Sequence, residues 1–312
     1  MEHLTFKQLA QRVLEEERRP LTAQEIWEIA VKKGYDKLCK VKGKAPWRAI
    51  GPHIGRDIKY NPDTPFVKID SKPKKFFLKY LVSEGELREI ESKGAGEVAP
   101  LKKTKYKERE LHPFLAYFAH TFMGAYTKTI LHEKSGRRKY TQWLHPDMVG
   151  VHFPIEEWET EVIDFARETG SPAVTLYSFE IKKELGFSNL RESFFQTVSN
   201  SSWANEGYLV AADIEQDAEF LAELKRLSDA FGIGIIKLDI TDPDSSEIIF
   251  PARHKNQIDW DTLNKLAREN PNAKEFLRRI TVDLATKEIR REKYDKVPDY
   301  EKLVELGKKM AE

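Results

Sequence analysis

Cysteine is almost absent from this chain, and so are long apolar runs. Cys39 is the only cysteine among 312 residues, which excludes an intrachain disulfide and a zinc ribbon. We interpret it as a small buried apolar residue. No apolar run approaches the roughly 20 residues of a membrane-spanning helix, and the N-terminus lacks the pattern of a signal peptide. We therefore expect a cytoplasmic protein with no membrane partner.

The chain also lacks the spacings of two common kinds of site. The glycines of GIGIIKLDI do not follow the G-x-G-x-x-G pattern of a dinucleotide-binding loop, so we predict no nucleotide there. No pair of histidines has the H-E-x-x-H spacing of a helical zinc site. His145, two residues before Asp147, is the one histidine whose position draws notice.

The net charge of +1 conceals two regions of opposite charge. Residues 1–82 contain 18 lysines and arginines against 10 acidic residues, a net charge of +8. The rest of the chain contains 34 basic against 41 acidic residues, a net charge of −7. A basic region attracts polyanions such as DNA. The acidic excess suits a domain that concentrates carboxylates around a metal, although an ordinary charged surface explains it equally well.

Residues 1–82 have the pattern of three helices followed by a β-hairpin. Apolar residues recur at helical spacing over residues 4–18, and LTAQEIWEIAVKKG begins with a capping box of Thr22 and Glu25. Residues 44–60 form the third predicted helix, and PFVKID and KKFFLKY form two short strands. Together these elements predict an α+β winged helix-turn-helix domain.

The phrase RPLTAQEIWEIAVKKG, followed by the third helix and by FVKI and FFL, resembles the HARE-type helix-turn-helix family. The resemblance covers about residues 3–80. Members of that family are found fused to restriction endonucleases and in chromatin proteins. The resemblance implies that the domain binds double-stranded DNA, and the family has been proposed to sense modified bases.

The third helix is the candidate reader of the major groove, and the hairpin is the wing, where phosphate contacts are natural. The alternative is a solvated helix face with a wing used for packing or for protein contact. Trp27 and Trp47 are predicted to lie in the core. The candidate DNA-binding residues are Lys44, Arg48, His53, Arg56 and Lys59 in the helix, and Lys72, Lys74 and Lys75 in the wing.

Residues 83–109 are predicted to be a linker, because they combine mixed charge with few large apolar residues. Residues 110–312 are predicted to form the second domain. It starts with a buried helix, LHPFLAYFAHTFMG, and continues with strands and helices. The helical residues 260–311 are either an appended surface or a dimer contact.

One predicted strand of the second domain, VTLYSFEI, carries two charged residues on one face. Glu180 and Lys182 are two residues apart, so their side chains project together while Ile181 points into the core. Asp147 follows Pro146 and is expected to end the preceding strand. Carboxylates on adjacent strands are able to share a hard divalent cation such as Mg²⁺. The alternative is an edge strand with a solvated charged face and a turn after Pro146.

Pro146-Asp147, Glu180-Ile181-Lys182 and Gln196 in a following helix resemble the PD-(D/E)XK nuclease superfamily, which includes many restriction endonucleases. The resemblance implies an α/β restriction-endonuclease-like core, with a central mixed sheet flanked by helices. It implies that Asp147, Glu180 and the carbonyl of Ile181 hold Mg²⁺ or Mn²⁺. Lys182 then positions or activates the attacking water, and Gln196 supports the site.

The same resemblance implies an additional acidic residue near the first helix of the nuclease core. Glu110 is the best match, with Glu108 and Glu133 as alternatives. The polar run after Gln196 is open to two interpretations, since Asn200, Ser201, Ser202 and Asn205 either line the cleft or build a loop.

These observations predict a DNA-directed, metal-dependent endonuclease with a role in restriction or defence, and modified DNA is one candidate substrate. A homodimer would allow both strands to be cut, because one active site cuts one strand at a time. Two alternatives stay open. The second domain is a nuclease fold that no longer cuts and serves as a DNA-binding regulator, or the winged helix docks a protein partner.

Overall fold

The computed structural model describes residues 4–39, 46–61, 63–69, 71, 74–82, 106–131, 133, 145–156, 158–169 and 174–311. The chain divides into two compact units, Met1–Glu97 and Val98–Glu312. No described helix is long and apolar enough to cross a membrane.

The first unit contains three described helices and a small antiparallel sheet. The helices are α1 (Phe6–Glu17), α2 (Ala23–Lys32) and α3 (Trp47–Tyr60). The described strands are β1 (Leu21–Thr22), β2 (Phe66–Ile69) and β3 (Lys75–Leu78), in the order β1-β3-β2. Strand β1 was not predicted, because its two residues are too few to show a pattern; it adds an edge to the predicted hairpin. The helix-turn-helix prediction is confirmed in these elements.

Local sequence signals account for the start of the first two helices. Thr22 accepts a hydrogen bond from the backbone N–H of Glu25, and the Glu25 side chain accepts one from Thr22, so the predicted capping box is present. Thr5 and Gln8 form a second capping box at the start of α1. The third helix begins at Trp47, after Pro46, whereas the sequence suggested a start at residue 44. Residues 41–45 lie outside the described part of the chain.

The second unit is built on a mixed sheet. Its described strands are β4 (Ala125–Thr129), β5 (Met148–His152), β6 (Thr175–Leu185), β7 (Glu206–Ile214), β8 (Gly234–Lys237) and β9 (Glu247–Phe250), in chain order across the sheet. Strands β4, β5 and β6 pair antiparallel, β6, β7 and β8 pair parallel, and β9 returns antiparallel. The predicted mixed sheet is therefore confirmed.

Helices cover both faces of this sheet. The described helices are α4 (His112–Met123), α5 (Thr160–Glu168), α6 (Leu190–Asn200), α7 (Ala218–Phe231), α8 (Trp260–Glu269), α9 (Pro271–Thr286) and α10 (Tyr300–Ala311). Ile181 and Val210 pack on one face with residues of α4 and α10. Leu209 and Ala211 pack on the other face with residues of α6 and α7. The alternation along β6 and β7 decides which side chains meet which helices.

The C-terminal helices belong to the core rather than to an appended surface. Leu303 and Met310 of α10 are buried with Phe114 of α4. A Cβ atom on Gly307 would clash with the backbone carbonyl oxygen of Ile240, so only glycine fits where α10 crosses that segment. The charge-rich sequence had concealed this packing, because only a narrow stripe of each helix is apolar.

Candidate active site

The candidate site lies where β5 begins and β6 continues beyond it. Met148, the first residue of β5, pairs with Phe179 of β6. Asp147 therefore stands opposite the next part of β6, and its Oδ2 accepts a 2.7 Å hydrogen bond from the backbone N–H of Ile181. Ile181 lies beyond the residues that pair with β5, so the carboxylate supplies the acceptor that its backbone N–H would otherwise lack.

The position of Asp147 corrects one expectation. The sequence placed Asp147 at the end of a strand, whereas it stands directly before β5, which starts at Met148. The apolar run from Met148 to Val151 pairs with β6 and forms the strand, because its alternate side chains are buried in two different cores.

The two charged residues of β6 project from the same face, as predicted. Glu180 is only 2% exposed, and its Oε1 accepts a 2.9 Å hydrogen bond from Nζ of Lys182. Ile181 points the opposite way and is fully buried in the core. The interpretation of a solvated edge strand does not fit, because β6 pairs with β5 on one side and β7 on the other.

Helix α6 supplies two amide side chains to this pair. Nζ of Lys182 donates to Oε1 of Gln196 at 3.1 Å, and Nδ2 of Asn200 donates to Oε2 of Glu180 at 3.0 Å. Residues four apart on a helix lie on the same face, so Gln196 and Asn200 reach the strand together. The result is one connected chain of hydrogen bonds from Gln196 through Lys182 and Glu180 to Asn200.

Burial and a neighbouring charge shift the acidity of Glu180. Loss of water around the carboxylate, followed by repulsion from Asp147, raises the pKa of Glu180 to about 7. Lys182 and Asn200 oppose the shift only in part. A buried carboxyl beside a second acidic group is a site of negative potential that a cation would relieve.

Lys182 remains a cation at neutral pH. Burial alone would lower its pKa, but the charges of Glu180 and Asp147, with a further contribution from Glu108, raise the pKa above its ordinary value. A lysine in this state contributes a fixed positive charge and hydrogen-bond donors, and it does not accept a proton.

The oxygen donors of the site suit a hard cation. Within the described residues, no group of three or more His, Cys, Asp or Glu side chains could hold a metal ion, so protein side chains alone supply at most two carboxylates, Asp147 and Glu180. A third oxygen is the carbonyl of Ile181, which lies on the same edge of β6 as the N–H bound by Asp147. Two carboxylates and a carbonyl fit Mg²⁺ or Mn²⁺, because Mg²⁺ keeps several of its waters.

The three candidate acidic residues upstream occupy different positions. Oε2 of Glu110 accepts from the backbone N–H of Lys107, which caps the short 3₁₀ helix Glu108–Leu111. Glu133 forms an exposed ion pair with Arg109 at 2.8 Å. The charge of Glu108 is among those that raise the pKa of Lys182. The predicted linker ends in this region, and Tyr106 is already buried in the core of the second unit.

The sequence left Asn200 open between lining the cleft and building a loop, and it assigned no role to the backbone of His145. Asn200 is buried, and its amide also donates to the backbone carbonyl of His145 at 3.1 Å. The spacing of four residues from Gln196 is the signal that could have identified Asn200. Asn205 has a different role, since its side chain binds the backbone of Leu176 and Lys255.

The candidate DNA-binding residues are only partly described. His53 is exposed on α3, and its ring stacks on Phe6 at a centroid distance of 5.5 Å. Lys74, directly before β3, and Lys75, its first residue, are half-buried. Three further candidates, Arg48, Arg56 and Lys59, lie on the backbone of α3. The remaining two, Lys44 and Lys72, lie outside the described residues.

The first unit has the fold of a winged helix-turn-helix domain. The family model HARE-HTH, a helix-turn-helix domain whose description includes restriction endonucleases, matches residues 4–78. Residues 4–78 are therefore a HARE-HTH domain, which suggests DNA binding. No curated protein and no solved structure matches the chain significantly.

Proposed function

We propose that the chain is a DNA-binding, metal-dependent endonuclease of the PD-(D/E)XK type. One observation carries the proposal: Asp147, the pair Glu180 and Lys182, and Gln196 come from three separate segments of the sequence and lie in one connected site. The HARE-HTH domain at residues 4–78 would bring double-stranded DNA to the protein.

The proposed reaction is hydrolysis of a phosphodiester. Water adds to phosphorus and one P–O ester bond breaks, which leaves a phosphate monoester and a free hydroxyl. A divalent cation held by Asp147, Glu180 and the carbonyl of Ile181 would lower the pKa of a bound water and neutralise charge on the phosphate. Lys182 would orient that water or a phosphate oxygen as a point charge, because its raised pKa keeps it protonated.

The neighbouring groups hold Lys182 in place. Glu180 and Gln196 accept hydrogen bonds from its Nζ at 2.9 and 3.1 Å, so the ammonium is fixed between two oxygens. A charge that is fixed before the substrate arrives costs little reorganisation in the transition state. Glu110 was the acidic residue predicted to reach the site through a water, and Glu108 is the alternative that we favour here, because its charge contributes to the raised pKa of Lys182.

The experiment compares cleavage of unmodified DNA and of DNA with modified cytosines by the wild type, Asp147→Ala and Glu180→Ala, in Mg²⁺ and in EDTA. We expect metal-dependent cleavage by the wild type that both variants lose. Lys183→Ala is the matched control, because Lys183 is the next residue of β6 and projects from the opposite face. Cleavage that persists in both variants would contradict the assignment of this site. Restriction or defence is the proposed role, and a homodimer is the proposed form for cutting both strands.

A second candidate function is a DNA-binding regulator with an inactive nuclease fold. The observation that favours it is the pairing of both Glu180 oxygens, one with Lys182 and one with Asn200, which balances the site without a metal. DNA binding by the wild type without cleavage of any substrate in the panel, in Mg²⁺ or in Mn²⁺, would support the regulator.

A further inference from the structure

Asn200 is the last residue of α6 and is 1% exposed. Its Nδ2 donates to Oε2 of Glu180 at 3.0 Å and to the backbone carbonyl of His145 at 3.1 Å. Both partners are acceptors, so the amide nitrogen and not the amide oxygen must face them. One N–H group thus holds a carboxylate of β6, and the other holds the backbone two residues before Asp147.

The backbone of Asn200 is fixed as well. Its carbonyl oxygen accepts from Oγ of Ser178 at 3.0 Å and from Nε1 of Trp203 at 2.8 Å. Ser178 and Glu180 are neighbours on the same face of β6. The residue is therefore anchored to β6 through its backbone while its side chain spans the gap between β6 and the segment that carries Asp147.

The oxygen of the same side chain is not satisfied. Oδ1 of Asn200 is buried and has no hydrogen-bond partner within the described part of the chain. A buried acceptor without a partner is unfavourable. Local costs of this kind are expected where a residue serves a site rather than the core.

We infer that Asn200 is a positioning residue: it holds Glu180 and the segment before Asp147 in the relative geometry that a divalent cation requires. The inference rests on the proposed function, because it assigns a role within the same site. Asn200 touches neither substrate nor cation in this scheme. It acts through the orientation of Glu180, as partners of metal ligands commonly do.

The test measures Mn²⁺ binding to the full chain by electron paramagnetic resonance of the free ion, together with Mn²⁺-dependent cleavage. The variant is Asn200→Ala, and the matched control is Asn205→Ala. Asn205 is also a buried asparagine near β6, but it binds the backbone N–H of Leu176 and the carbonyl of Lys255, both at 2.8 Å. Thermal unfolding of each variant is recorded in EDTA.

We expect Asn200→Ala to raise the Kd for Mn²⁺ by about 10- to 100-fold, the range seen when a partner of a metal ligand is removed. Excess Mn²⁺ should restore much of the cleavage rate, while the affinity for DNA stays unchanged. Asn205→Ala should lower the unfolding temperature and leave the Kd for Mn²⁺ within about twofold of the wild type. Should Asn200→Ala not fold, Asn200→Leu fills the same space without donors and takes its place.

Two results overturn the inference and are distinguishable from each other. In the first result, the wild type binds Mn²⁺ and cleaves DNA, but the Kd of the Asn200 variant is unchanged, or the Kd of the Asn205 control rises equally. This result contradicts the positioning role alone. A wild type that neither binds Mn²⁺ nor cleaves any DNA removes the proposed function and this inference with it.

Discussion

Oδ2 of Asp147 lies 2.7 Å from the backbone nitrogen of Ile181, at the point where β6 runs past the start of β5. This hydrogen bond joins the two segments that carry the proposed metal ligands. It also fixes the Asp147 carboxylate beside Glu180. The negative charge of that carboxylate helps to raise the pKa of Glu180. Stability, acidity and the proposed chemistry of the site therefore depend on the same residue.

Asp147→Asn and Asp147→Ala should separate these contributions. Asparagine keeps an oxygen that accepts from the N–H of Ile181, so we expect a folded protein without metal-dependent cleavage. Alanine leaves that N–H without its partner and should destabilise the second unit by a further ~1–3 kcal/mol. Urea unfolding in EDTA, with cleavage measured beside it, checks the prediction. Equal stability of the two variants would show that the hydrogen bond contributes nothing.

The stability of the metal-free protein should fall as pH rises through the titration of Glu180. Its pKa is about 7 in the folded protein against an ordinary value of 4.5, so the folded state holds a proton that the unfolded state releases in this window. The stabilisation is complete below about pH 4.5 and is lost above about pH 7. Unfolding free energies in EDTA across the window provide the measurement.

Two variants report on the cause of this pH dependence. Glu180→Gln removes the titrating group and should flatten the slope. Asp147→Asn removes a charge that raises the pKa of Glu180, so it should move the window to lower pH. A slope that is identical in the wild type and in Glu180→Gln would assign the pH dependence to another group.

Gly307→Ala should destabilise the second unit. The new Cβ would meet the carbonyl oxygen and carbon of Ile240, which are backbone atoms and cannot rotate away, so α10 must shift. We expect a loss of about 1–3 kcal/mol, as for overpacked cores. Gly55→Ala is the control, because a Cβ there meets nothing within 4 Å, and on helix α3 it should be neutral or stabilising. Calorimetry of both variants measures the change in unfolding temperature. An unfolding temperature of Gly307→Ala equal to that of the wild type would show that α10 is not tightly packed against Ile240.

DNA binding by the HARE-HTH domain should depend steeply on salt. Each lysine that contacts a phosphate contributes close to one unit to the slope of log K against log salt concentration. Lys74→Ala together with Lys75→Ala should reduce that slope by about 2 if both lysines of the wing contact phosphates. Lys302→Ala, on α10 of the other unit, is the control. Fluorescence anisotropy at several salt concentrations gives the slopes, and an unchanged slope would remove the wing from the interface.

Local patterns predicted those parts of the site that lie within one element. The two-residue period of β6 placed Glu180 and Lys182 on one face and Ile181 in the core. A helix that carries Gln196 was also expected, and α6 is that helix. These features depend on neighbours in the sequence, which is why the sequence alone indicates them.

The other features depend on contacts between distant segments. The sequence could not show that Asp147 binds the backbone of Ile181, since a strand register fixes that contact. The end of α6 at Asn200 lies in a polar run that the sequence left open between the cleft and a loop. The close approach of Gly307 to Ile240 depends on how two remote elements cross.

The most direct test of the central claim is the nicking of supercoiled plasmid DNA by the wild type and by Lys182→Ala, each in Mg²⁺ and in EDTA. Hydrogen bonds to Glu180 and Gln196 fix the ammonium group of Lys182 at the site. We predict nicking by the wild type in Mg²⁺ alone and a rate at least about 100-fold lower for Lys182→Ala, with DNA affinity unchanged. Equal nicking by the two proteins in Mg²⁺ would contradict the assignment of the site.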